Sequence, residues 1–514
     1  MIRKINLTHF LWAALIAVGV WSCKGGSAKV DFVQIPKDAA FVLSIDFKSL
    51  TTKGEGWKEL LNENTKDLLS LDKSSDKLIT NLTKTGIDFD SKAVVFGKMS
   101  KKEEENYVVA AFKIKSEADF EKALKEGDDK AEVKSEGAIK YTYDKRNTLV
   151  AWEKGIALVI AKDKKTEEKV LLDQYKAIKA TQAKDGLAQN NKEFATFSQQ
   201  EKDILAWVNV ESLAVIDEET AKNVKNFKSY ELAFNFENGQ LVGDFVLKTI
   251  DNPPANLKNL YRTGVNSKLS GSVALDSPTM LFSAALGMKE LHELVKESGS
   301  LKDRDAEGIQ KDLDMTTLEL FEMLSGDIIL AIKDAKINSA MKGDVEPEAV
   351  IALGIGKKEL ADKFLAALVK RKVIKKEDDN TYEVAGVEPA DVTLVVKNDA
   401  LFFTSNGALK DNIEKGGKGL DANFSKLTSG NATVFFLSKD LLKQLEMFSG
   451  LLGSAALKDF FSHAVPELES LTVTSLPFKN NRFEAKMVLQ MTNKNQNALA
   501  TMVQIAKKFS KKPA

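Results

Sequence analysis

A set of landmarks recurs along this chain, and recurrence at long period restricts a fold more than any local motif does. Asp88-Phe89-Asp90 precedes the apolar run Val94-Val95-Phe96, as Asp312-Leu313-Asp314, 224 residues further on, precedes Ile328-Ile329-Leu330. Ala157 to Ile160 answers to Leu401 to Thr404, 244 residues later, and a helical pattern follows each. Asn238-Gly239, a strong signal for a two-residue hairpin turn, answers to Asn480-Asn481. Four times an apolar strand pattern ends in a charged residue, a polar residue and Leu: Lys48-Ser49-Leu50, Glu211-Ser212-Leu213, Lys289-Glu290-Leu291 and Lys439-Asp440-Leu441. A Ser or Asp in that triplet is expected to cap the following helix, with the Leu opening its buried stripe. These repeats predict two homologous tandem halves, residues 31–263 and 268–512, joined between Thr263 and Lys268. In this register Pro253-Pro254 precedes the last helix of the first half.

The period-2 runs set the fold class. Leu232, Phe234 and Phe236, or Phe483, Ala485, Met487 and Leu489, alternate with polar or smaller residues, as antiparallel strands with one covered face do. Ile156 to Ala161 and Ile328 to Ile332 are apolar on both faces, which predicts sheet centres with helices on one side and other protein or an apolar ligand on the other. Hairpins interleaved with helices give an α+β reading, each half having largely antiparallel sheets and packed helices.

The N-terminus reads as an address. Arg3 and Lys4 precede an apolar run from Phe10 to Trp21, 12 residues long where a bilayer span needs about 20. Val20-Trp21-Ser22-Cys23 follows, and resembles a lipobox with Trp21 bulkier than usual and Val20 for the common Leu. Cys23 is the only cysteine, so it has no disulfide role within the chain. The expectation is a signal peptide over residues 1–22, lipidation of Cys23 as the membrane anchor, and a flexible tether over 23–30. No acidic residue stands among Lys24 to Lys29, whereas surface-exported lipoproteins of the Bacteroidota resemble one another in carrying them there; this favours the periplasmic face of the outer membrane.

Composition narrows the chemistry. Lys+Arg and Asp+Glu are equal at 74 each and interspersed, which argues against nucleic acid as a partner. His292-Glu293-Leu294-Val295-Lys296 begins like the zinc motif HExxH, but Lys296 stands where the second His belongs, so His292 is expected to flank a helix. His463 has no nucleophile at a distinctive spacing, and Gly416-Gly417-Lys418-Gly419 reads as a surface loop. Asp303, Asp305, Glu307, Gly308, Asp312 and Asp314 mimic a calcium loop, weakened by Glu307, Gln310 and Asp314 at positions that ask for other residues; calcium at 303–314 stays an open alternative. With 28 Phe against 7 Tyr and 5 Trp, the aromatics suit a core better than sugar-stacking platforms. The last helix, with Leu499, Met502, Val503 and Phe509, ends in Lys507, Lys508, Lys511 and Lys512, which suit its C-terminal dipole.

After the signal, Ile35-Pro36-Lys37-Asp38-Ala39-Ala40-Phe41-Val42-Leu43-Ser44-Ile45-Asp46-Phe47-Lys48-Ser49-Leu50 resembles the opening of a Bacteroidota lipoprotein family, domain of unknown function 4836. That resemblance brings no catalytic residue, cofactor or substrate. The expectation is a lipid-anchored envelope protein with no catalytic, cofactor or metal residues, binding an unknown envelope protein or component. The alternatives are a carrier of a lipid or other apolar ligand and, third, a carboxylate-based hydrolase.

Overall fold

The computed structural model describes residues 32–55, 85–127, 132–333, 348–386, 392–443 and 462–510 of the 514-residue chain. Cys23, the signal segment and the whole tether lie outside the described residues. The fold is α+β, and the chain forms two compact units: residues 1–248 with 493–514, and residues 249–492.

The first unit contains β1 (Phe41–Asp46), helix α1 (Phe47–Lys53), β2 (Lys92–Lys98), β3 (Tyr107–Lys113), α2 (Glu117–Gly127), β4 (Lys134–Glu136), β5 (Ile139–Tyr143), β6 (Thr148–Glu153), β7 (Ile156–Ala161), α3 (Glu168–Lys179), β8 (Ile204–Asn209), β9 (Phe227–Glu237) and β10 (Gln240–Thr249). Its strands pair in the order β4-β5-β6-β7-β3-β2-β1-β8-β9-β10. One sheet face, with Phe96, Val109, Leu158, Ile160 and Trp207, packs on Leu171, Leu172, Tyr175 and Ile178 of α3. At the β6–β7 end the other face meets α2, where Phe120 lies edge-on to Trp152 at 5.3 Å. In β9 the expected alternation is met only at Phe236, which is fully buried; earlier in the strand Ser229, Glu231 and Ala233 are the buried set and Leu232 and Phe234 lie half-buried, with the Lys248 ammonium 2.7 Å from the buried Glu231.

The second unit contains α4 (Ala255–Lys258), β11 (Met280–Ala285), α5 (Met288–Glu297), α6 (Asp303–Leu313), α7 (Thr317–Glu322), β12 (Leu324–Ile332), β13 (Ala349–Ile355), α8 (Lys358–Lys370), β14 (Ile374–Lys376), β15 (Thr381–Val384), β16 (Val392–Lys397), β17 (Ala400–Thr404), α9 (Gly407–Lys415), α10 (Ala422–Gly430), β18 (Thr433–Ser438), β19 (Leu468–Ser475) and β20 (Arg482–Met491). Its order, β14-β15-β16-β17-β13-β12-β11-β18-β19-β20, repeats that of the first unit strand for strand. The register repeats too. Ile160 pairs with Val109 and Leu149 on the neighbouring strands, and Thr404 with Val350 and Thr393 at the same places. The turn Lys154-Gly155 (φ 50° and 72°) is matched by Asn398-Asp399 (52° and 58°), both with the paired positive φ of a type I′ hairpin. Asn480-Asn481 has it as well, at 53° and 55°. α9, capped by the Asn406 side chain and stopped by Gly416 at φ +78°, and α10, capped by Asp421, cover one face through Leu409, Ile413, Phe424 and Leu427.

The unit boundaries differ from the sequence expectation of 31–263 and 268–512. α4, directly after Pro253-Pro254, buries Asn256 and Leu257, the Gly287 N–H donates to Leu260 O, and the Arg262 N–H donates to Ala285 O. Those bonds place residues 255–265 in the second unit. In turn, the Gly239 N–H donates to Gln496 O at 2.8 Å and Asn497 Nδ2 donates to Phe236 O at 3.1 Å, so the last helix, α11 (Ala498–Ser510), belongs to the first. Periodicity locates a helix, whereas the sheet that takes up its apolar face is decided by tertiary packing.

Candidate functional site

A buried polar cluster lies where β1 passes into α1. Asp46 ends β1 and caps α1 by accepting the Ser49 N–H at 2.7 Å. Ser49 and Lys53 stand one helical turn apart, on one face of α1. Both reach Asp203, which directly precedes β8: Ser49 Oγ donates to Oδ1 at 2.6 Å, and Lys53 Nζ donates to Oδ2 at 2.8 Å. The Phe236 N–H also donates to Oδ2, at 2.6 Å, and Lys53 Nζ reaches Asn235 Oδ1 at 3.1 Å. The Asp203 and Lys53 side chains are only 2% and 7% exposed, so the pair is desolvated. Both carboxylate oxygens of Asp203 are engaged, and the cluster acts as a polar clamp of α1 on β8 and β9. A general base needs a lone pair turned toward a substrate; here the donors are the protein's own.

The second unit provides an internal comparison. The Asp46 N–H donates to Asp203 O, as the Ala285 N–H donates to Ala432 O, so Asp203 and Ala432 occupy one position of the fold. Alignment of α1 with α5 sets Ser49 and Lys53 opposite Glu290 and Leu294. Ala432 and Leu294 stand where Asp203 and Lys53 do, so this ion pair is particular to the first unit.

Asp46 makes a pH prediction. Burial pushes its carboxyl above the usual range, against the Ser49 N–H and Lys92, which pull it down. Lys92 Nζ is 4.0 Å from Oδ2. A carboxyl whose folded pKa exceeds its unfolded value is favoured in its protonated form on folding, so its contribution is most favourable below the unfolded pKa near 3.9 and is lost as pH rises through the folded pKa. Asp46→Asn keeps an acceptor for Ser49, and is expected to preserve stability at pH 7 while weakening the gain on acidification. Urea unfolding at pH 4, 5 and 7 reads this, and an unchanged pH slope would contradict it.

The structure places the other sequence-flagged residues apart from this cluster. His292 on α5 contacts α7, with Nε2 at 3.1 Å from Thr317 Oγ1 and its ring edge-on to Phe321 at 5.3 Å. The flanking role expected for it is the one it has. Residues 303–313 are a continuous helix, not a loop, and Asp312 and Asp314 pair with Arg371 and Lys363. A helix turns successive carboxylates away from one another, which removes the wrap a calcium loop requires. In the first unit Asp88 accepts the Asp90 N–H, as a turn residue does. The triplet serines need a correction: Ser49 sits inside the first turn of α1, Asp46 is the cap, and the Ser212 hydroxyl donates to Asn209 O. Asp203 carried no local signal, since 154 residues separate it from Ser49.

A second feature lies on the second unit's sheet, on the face opposite α9 and α10. Phe435, Phe282, Leu330, Ile351 and Phe403 stand directly across from one another on β18, β11, β12, β13 and β17. At one end Leu365 and Leu368 of α8 cover Phe403 and Leu401; at the other Leu441, Leu442 and Val465 cover Phe435, Met280 and Ile332. Between them Phe282 is 36% and Ile351 43% exposed. The doubly apolar β12 thus has helices on one side and, in its middle, open apolar surface on the other. The first unit carries Ala206, Leu43, Val95, Ala110 and Val159 at these five places, and Leu43 is buried.

No curated protein matches this chain. Crystal forms I and III of TP0453 have 11% and 12% identity and TM-scores of 0.28 each; they cover 45% of this chain and 82% and 83% of their own. The family model described as Domain of unknown function (DUF4836) matches residues 33–499.

Proposed function

This chain belongs to the DUF4836 family, and from that premise we propose that it is a non-enzymatic binding protein of the cell envelope, anchored in the outer membrane through lipidated Cys23 and facing the periplasm. The observation that carries the binding reading is the open apolar row of Phe282, Leu330 and Ile351, larger and more exposed than its counterpart in the first unit. An exposed apolar surface of this kind marks an interaction site. The occupant is an envelope protein or component. The Asp203 clamp, whose two carboxylate oxygens are taken by the protein's own donors, favours structure over chemistry for this Ser-Lys-Asp cluster. The shared strand order and register support reading the two units as homologous tandem halves.

Two measurements test this. Cys23→Ala is expected to move the protein from the outer-membrane to the soluble fraction, with quantitative retention contradicting the anchor. Mass spectrometry of the detergent-extracted native lipoprotein is expected to find a partner that Ile351→Asp removes. Co-purifying lipid in place of protein would favour the carrier alternative, and a partner that survives Ile351→Asp would move the binding surface elsewhere.

A further inference from the structure

We draw no further inference here: the strongest candidate, the buried side-chain cluster of Lys53, Asp203 and Asn235 between α1 and strands β8 and β9 of the first unit, belongs to the clamp already described, where the carboxylate is taken by the protein's own donors.

Discussion

Asp203→Ala is expected to destabilise the first unit by about 3–5 kcal/mol, because it leaves the Lys53 ammonium buried with its carboxylate partner gone. Three donors lose their acceptor in that one change: Ser49 Oγ, Lys53 Nζ and the Phe236 N–H. The readout is convenient. Past residue 21 the tryptophans are Trp57, Trp152 and Trp207, all in the first unit, so tryptophan fluorescence in a denaturant titration reports that unit alone. The double variant Asp203→Ala with Lys53→Leu imports what the second unit has at those places, Ala432 and Leu294. It is expected to recover most of the loss, since apolar replacement of both members of a buried pair is often neutral. A single variant within about 0.5 kcal/mol of the parent, which is the ordinary range of surface substitutions, would show that the clamp contributes nothing.

The second large effect is expected at Gly326. Its φ is +87°, and a Cβ added there would lie 1.9 Å from Leu286 O, the carbonyl of a residue whose own N–H donates to Gly326 O. Gly326→Ala therefore combines a left-handed backbone penalty with a collision against main chain, and is expected to cost about 3 kcal/mol or more. Gly299 separates the two causes. It has φ +70° with open space around it, so Gly299→Ala should show the backbone penalty alone, about 1 kcal/mol. Thermal unfolding followed by circular dichroism should shift strongly for Gly326→Ala and slightly for Gly299→Ala. Equal shifts would mean that close approach at Gly326 is not the determinant.

What the sequence revealed and what it withheld divide along the range of the forces. Hairpin turns were legible: positive φ at Asn480 and Asn481 is a property of the residues themselves. The central position of β7 and β12 was legible from their doubly apolar runs, because a strand without a polar face is favoured where cover is available on both faces, as it is for interior strands. The caps were misassigned by three residues, since a Ser inside the first turn and a cap residue carry the same composition signal. The boundary between units was not legible, because the residues of α11 hold an ordinary amphipathic pattern that any apolar sheet face could accept. The Asp203 clamp was hidden for a different reason. Each of its members is common on solvated surfaces, and only the fold brings Ser49, Lys53 and Asp203 into one dry volume. The helix at 303–313 shows the converse case, a spacing that fits a metal loop in a segment whose backbone does not leave the helix.

The passage of the chain from the first unit to the second at residue 248 and back at 493 has a consequence for biogenesis. In chain connectivity the second unit is an insertion in the first. During synthesis from the N-terminus, residues 249–492 are all present before α11 emerges, so the second unit is able to finish while the first still lacks its closing helix. The unit nearest the proposed lipid anchor is thus the last to be completed, and until residues 493–510 arrive, the surface on β9 reserved for α11 is available to chaperones or to premature association.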